Sequence, residues 1–153
     1  MQLDIRRDDL TKPEVIDLLT FHLAEMHRVS PPGTVHALPV EHLRAADVTV
    51  YAAWDGGTLA GFGALREVEP GHGEIKSMRA APGYRSRGAG RAILDHLIGE
   101  ARRRGYTRLI LETGRTEDFR PAISLYEKNG FAFCEPFADY AKNDFSICMT
   151  RAL

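Results

Sequence analysis

The apolar positions of this chain change their period several times, and those changes divide it into elements. Residues 2–6 alternate polar and apolar side chains as a short strand does. Thr11-Lys12-Pro13-Glu14 has the form of a capping box with proline in the first turn. Behind it, Val15, Leu18, Leu19, His22, Leu23 and Met26 fall on one face of a helix predicted to run to about residue 27, and Pro31-Pro32-Gly33 stops it. A second short helix is predicted over residues 40–45. Residues 48–54, rich in β-branched and aromatic side chains, read as a strand. Asp55-Gly56-Gly57 supplies a hairpin turn, residues 58–67 the returning strand, and Pro70-Gly71 a turn into a third antiparallel strand over residues 73–80.

From Gly88 the period becomes helical. Ala89, Ala92, Ile93, Leu94, Leu97, Ile98 and Ala101 repeat on one face, Arg102 to Arg104 occupy the last turn, and Gly105 ends it. Leu109-Ile110-Leu111 reads as a short buried strand, residues 121–129 as a helix ended by Gly130, and residues 131–137 and 145–150 as two final strands. The order β, α, α, βββ, α, β, α, ββ predicts an α/β fold: a mixed, mostly antiparallel central sheet with helices on both faces. No repeat, low-complexity stretch or Gly/Ser linker divides the 153 residues, which therefore read as one domain, residues 1–153. A domain of that length buries about two thirds of its unfolded surface and needs no metal or disulfide to hold it.

Composition narrows the function classes. Twenty Lys and Arg against 21 Asp and Glu give a net charge of −1, which argues against an extended polyanion or an anionic membrane as partner. Cys134 and Cys148 are too few for a disulfide framework or a zinc cluster, the six His show no zinc spacing, and no metal is assigned. No apolar run approaches the roughly 20 residues that span a bilayer, and the charged start of the chain is unlike a signal peptide, so a cytoplasmic protein is expected. His22, on an apolar helical face, reads as a core histidine.

The segment Met78-Arg79-Ala80-Ala81-Pro82-Gly83-Tyr84-Arg85-Ser86-Arg87-Gly88-Ala89-Gly90-Arg91 carries the strongest chemical signal. It runs from a strand through a glycine-bearing loop into a helix start. Main-chain N–H groups and the positive dipole end make such a start an anion site, and Arg85, Arg87 and Arg91 add charge. A P-loop is excluded because no Gly-Lys-Ser/Thr follows. A dinucleotide site fits poorly, since Pro82 and two arginines separate strand from glycines and the first half of the chain is hairpins.

Arg85-Ser86-Arg87-Gly88-Ala89-Gly90 resembles the Arg/Gln-x-x-Gly-x-Gly/Ala motif of the GNAT (Gcn5-related N-acetyltransferase) superfamily. Ala122-x-x-Leu125-Tyr126-Glu127-Lys128-Asn129-Gly130-Phe131 resembles its later signature, in the expected order and spacing. Phe119 stands where that family often has Asn, and Ser86 where Gly is common. The resemblance implies an acetyl-CoA-dependent N-acetyltransferase fold, with acetyl transferred to a primary amine of a small molecule or peptide by direct attack in a ternary complex. It implies that Met78, Ala80, Arg85, Ser86, Arg87, Gly88, Ala89, Gly90 and Arg91 bind acetyl-CoA, with the Met78 N–H polarising the thioester carbonyl. Tyr126 matches the general acid, its alternative being a core tyrosine. Glu74 matches a general base, its alternative being a strand carboxylate paired with a neighbouring Lys or Arg; Glu112, His36 and His72 are substitutes. A non-catalytic acyl-CoA-binding sensor is the competing function.

Lys76 and Arg79 border the expected cleft and suggest an acceptor bearing a carboxylate, although strict alternation would turn them to opposite faces. Relatives of this kind are often dimers, which makes a homodimer the oligomer to expect. The near-neutral total also conceals a division. Residues 76–108 hold nine Lys or Arg and two acids, net +7, and the remainder is net −8.

Overall fold

The structure is a computed structural model that describes residues 2–35, 39–136 and 145–153. In chain order the elements are β1 (Asp4–Asp8), α1 (Pro13–Val29), α2 (Val40–Leu43), β2 (Val48–Asp55), β3 (Thr58–Glu69), β4 (His72–Ala80), α3 (Ala89–Arg103), β5 (Arg108–Gly114), α4 (Arg120–Lys128), β6 (Ala132–Cys134) and β7 (Ser146–Ala152). Short 3-10 turns at Pro82–Tyr84 and Glu117–Phe119 lead into α3 and α4. The seven strands form one sheet in the order β1-β2-β3-β4-β5-β7-β6. Every neighbouring pair is antiparallel except β4 and β5. A parallel pair needs a crossover, and α3 is that crossover.

Strand alternation separates the helices onto opposite faces. Gly61 and Gly63 of β3 lie under α3, so closely that a Cβ at Gly63 would come within 2.7 Å of Ile93 and 3.0 Å of Leu97. Between them Phe62 projects the other way and meets the His22 ring of α1 edge-on, at 5.5 Å between centroids. Ile93, Leu94, Leu97 and Ala101 of α3 pack with Leu65, Leu109, Leu111 and Met149 in the buried core, so the periodic apolar face read from the sequence is the face that is buried.

Most elements fall where the sequence places them, with three local differences. Thr11 does not cap α1: its hydroxyl and its amide both donate to Asp9, and Lys12 is the residue before the helix, with Pro13 in the first turn. The strand expected over residues 131–137 pairs only at Ala132–Cys134, and residues 137–144 lie outside the described part. The expected helix over 40–45 is the single turn α2, whose His42 carbonyl accepts from the Arg44 and Ala45 amides. In the β6–β7 register Cys134 stands opposite Cys148.

Candidate active site

Two strands part company at the centre of the sheet. β4 pairs with β5 only over His72–Ile75 and Arg108–Leu111. β4 then continues to Ala80 against β3, while β5 continues to Gly114 against β7. The diverging ends leave a wedge. A cavity of about 420 Å³ opens there, lined by β4, by Glu112 to Gly114, by Ala122 and Tyr126 of α4, and by α1 from Phe21 to Val29.

A β-bulge decides which side chains reach it. Ile75 faces Leu65 and Ser77 faces Ala64, so Lys76 is an extra residue in β4. Glu74 pairs with Arg66, and Arg79 with Phe62, which projects toward α1. Although five positions apart, Glu74 and Arg79 therefore share the α1 face. The expectation that Lys76 and Arg79 cannot both reach the cleft fails for this reason, and both line the cavity. Met78 and Ala80 pair with Gly63 and Gly61 on the α3 side; Met78 also reaches the wedge, while Ala80 packs against the core without lining it.

The inner end of the cavity is ionic. Glu74 is 2% exposed, and Lys76, with its side chain 5% exposed, lies 3.6 Å from Glu74 Oε2. Burial lowers the pKa of Lys76, partly opposed by Glu74 and Glu112. Glu112 completes this group. Tyr126 of α4 lines the same wall, its ring tilted against Phe131 at 5.7 Å, and burial pushes its phenol up to about 12. Phe119 closes the wall in an edge-on contact with Phe145 at 5.5 Å, so close to Gly114 that a Cβ there would lie 2.5 Å from its ring.

The outer end is built around Arg79. Its Nε donates to His22 Nδ1 at 2.7 Å, and its guanidinium carbon sits 5.5 Å from the centre of the Phe21 ring. Burial, and secondarily the charge of Arg79, hold His22 down to about 3. The ring is thus neutral, with Nδ1 as acceptor and the proton on Nε2. Arg28, Arg85, Glu25 and Asp118 line the same end.

Beyond β4 the chain turns through Pro82–Tyr84 into the loop before α3. Ser86 and Gly88 both take positive φ, at 61° and 86°. No side chain caps α3, and its first turn holds no acid. Tyr84 donates to Asp55 at 2.8 Å, and Arg87 is braced over the Tyr84 ring and on the Gly83 carbonyl. Arg91 is exposed and pairs with Asp95 at 3.7 Å. Gly90 faces Leu125 of α4, whose Cδ2 would lie 3.4 Å from a Cβ at that position. Of this loop only Arg85 lines the cavity; Ser86, Arg87, Gly88, Ala89, Gly90 and Arg91 form the helix start beside it.

The structure thus brings Glu74, Met78, Arg85 and Tyr126 to one cavity, together with Glu112. His72 is elsewhere, paired with Glu69 at 2.6 Å, and His36 lies outside the described residues. Sequence reasoning missed the partnership of His22 and Arg79, which are 57 positions apart. The unusual histidine on an apolar helical face was its only trace.

The model of the Acetyltransferase (GNAT) family matches residues 15–131. The chain is 48% identical to the uncharacterized N-acetyltransferase YsnE of Bacillus subtilis, covering 99% of this chain and 100% of that protein. It is also 48% identical to the uncharacterized N-acetyltransferase YedL of Escherichia coli, covering 97% and 94%. In fold it is similar to a Bacillus subtilis acetyltransferase solved in complex with CoA, with a TM-score of 0.77, 21% identity and coverage of 99% of both chains. No helix among the described residues is long and apolar enough to cross a membrane.

Proposed function

Because the chain belongs to the acetyltransferase (GNAT) family and is therefore an acyltransferase, we propose that it moves an acetyl group from acetyl-CoA to the primary amine of a small molecule or peptide, by direct attack in a ternary complex. The observation that carries this reading is the wedge between β4 and β5, which brings a buried carboxylate, a buried phenol and a strand edge beyond its pairing with β5 around one cavity beside an open helix start. The fit to the co-substrate rests on that helix start. α3 begins at Gly88 with no side-chain cap and no acid in its first turn, and a Cβ at Gly88 would meet nothing within 4 Å. Its N–H groups and dipole suit a diphosphate, with Arg85, Ser86, Arg87, Ala89, Gly90 and Arg91 around it. Acetyl-CoA supplies the activated thioester; the chain supplies position and proton transfer.

The edge of β4 beyond Ile75 pairs with no described strand on the β5 side, so main-chain groups of Met78 and Ala80 are available to hold an extended pantetheine arm, and the Met78 N–H to stabilise charge on the thioester oxygen. Glu74 accepts the proton that the amine loses, directly or through a water. Lys76 lies beside it, and its own burial makes it a weaker competitor for the site's protons. Tyr126 faces the departing sulfur. A phenol at about 12 is roughly 3.5 units above an ordinary thiol, so complete proton transfer to the thiolate would be uphill by about 5 kcal/mol. Tyr126 therefore acts by donating a hydrogen bond to the sulfur as charge develops there. The proton that leaves with the thiol derives from the amine.

Acetyl-CoA and a broad panel of primary amines, followed by thiol release, test the proposal. Turnover with any amine class above the hydrolysis rate supports it. Saturable CoA binding with no turnover across the panel would overturn it in favour of a non-catalytic sensor.

A further inference from the structure

The charges lining the cavity are segregated. Lys76 feels Glu74 and Glu112, together with Arg66 outside the cavity. Arg79 feels instead Glu25, Arg85 and Arg28, and Arg28 in turn feels Glu25 and Asp118. Among the described residues, the β4–β5 end thus holds two carboxylates and one lysine, an excess of negative charge. Among the described residues, the α1 end holds three arginines and two carboxylates, an excess of positive charge.

Within that positive end Arg79 is the guanidinium prepared for a ligand. Its Nε donates to neutral His22 and its guanidinium carbon lies over the Phe21 ring, two contacts that hold the fork. Glu25, the acid that influences it most, is taken by Arg28 through three hydrogen bonds of 2.7 to 3.3 Å. The two Nη groups of Arg79 hydrogen-bond to no other described residue. With Nε occupied, the geometry left for recognition is the end-on pair of Nη donors, which matches the two oxygens of one carboxylate.

We propose that the acceptor is an amino carboxylate whose carboxylate is bound end-on by Arg79 while its amine lies toward Glu74 and Glu112. The inference rests on the acetyltransferase reading and adds the substrate class. His22 is a positioning residue: it holds the guanidinium and touches no substrate.

The test uses matched pairs: glycine, alanine, phenylalanine and glutamate, each against its α-carboxamide, with acetyl-CoA and thiol release as readout. The expected result is a kcat/KM at least tenfold higher for the carboxylate member of the preferred pair, carried mainly by KM. In Arg79→Gln that ratio falls to about 1. Arg79→Lys, which keeps the charge and loses the fork, restores only part of it. Circular dichroism and CoA titration show that the variants are folded. A wild-type enzyme that acetylates carboxamides as well as acids, or an Arg79→Gln enzyme that keeps the preference, overturns the proposal. If no amine is turned over, the acetyltransferase reading fails separately. The carboxylate site is then judged by calorimetric titration of the CoA-saturated protein with the N-acetyl amino acids and their amides: binding of the acids alone, lost in Arg79→Gln, supports it, and equal or no binding overturns it.

Discussion

Tyr126→Phe separates hydrogen-bond donation from proton donation at the leaving sulfur. The substitution removes one oxygen from a buried ring that packs against Phe131, and the phenol oxygen bonds to no other described residue, so the fold should be little disturbed. A hydrogen bond to a charged partner contributes about 1.5–3 kcal/mol. If that bond forms only as the thiolate develops, its loss lowers kcat by about 10- to 100-fold with CoA affinity intact. The pH profile supplies the second constraint. Burial holds the phenol up to about 12, so Tyr126 stays protonated throughout the alkaline range in which enzymes are assayed. The wild-type rate should then show no descending limb that depends on this residue below about pH 10, because only above its raised pKa would the hydroxyl be lost. Stopped-flow thiol release between pH 6 and 10 measures both. A variant within twofold of wild type removes Tyr126 from the reaction, and a limb near pH 8 to 9 that vanishes in Tyr126→Phe shows that it titrates where a true acid would.

Three further outcomes follow from the packing and the charges. Gly63→Ala places a methyl 2.7 Å from Ile93 and 3.0 Å from Leu97, both fully buried, and should cost about 1–3 kcal/mol, seen as a lower melting temperature by calorimetry; an unchanged midpoint contradicts the close approach of α3. Ser86 sits at φ 61°, so Ser86→Val should be less stable than Ser86→Gly by about 1–2 kcal/mol in urea unfolding, and equal stabilities would show that the loop relaxes. His22 is held down to about 3 against 6.5 when unfolded, so the unfolded chain binds the extra proton and stability is lost as pH falls below 6.5. From pH 7 to 5 wild type should lose about 2 kcal/mol more than His22→Gln, and parallel losses refute a neutral buried ring.

The parts of the molecule that were legible in advance are those whose signal is local. α3 was readable because seven apolar residues keep its period and Gly105 stops it, and the helix start at Gly88 because glycine and arginine spacing is written in adjacent positions. Glu74 and Tyr126 were reached through motif position, and the fold then places both on one cavity. The His22–Arg79 pair was not legible, because it depends on α1 crossing the sheet at Phe62, a relation between elements that no spacing records. The short β6 shows the same limit: the apolar run from Phe131 suggests a longer strand, but pairing with β7 ends at Cys134.

The bulge at Lys76 links these observations. Had β4 kept strict alternation, the residues on the α1 face with Glu74 would have been Lys76 and Met78, and Arg79 would have turned toward α3. There it would meet Ile93 and Leu97, where even a methyl on Gly63 has no room. A guanidinium buried in that layer without a partner would cost several kcal/mol. The extra residue reverses the phase, so Met78 takes the place opposite Gly63 and Arg79 meets His22. It also bends β4 where the pairing with β5 stops, since a bulged strand twists more strongly than its neighbour. One inserted residue thus opens the wedge and places an arginine at its mouth, while Glu74, just before the bulge, keeps its place at the inner end.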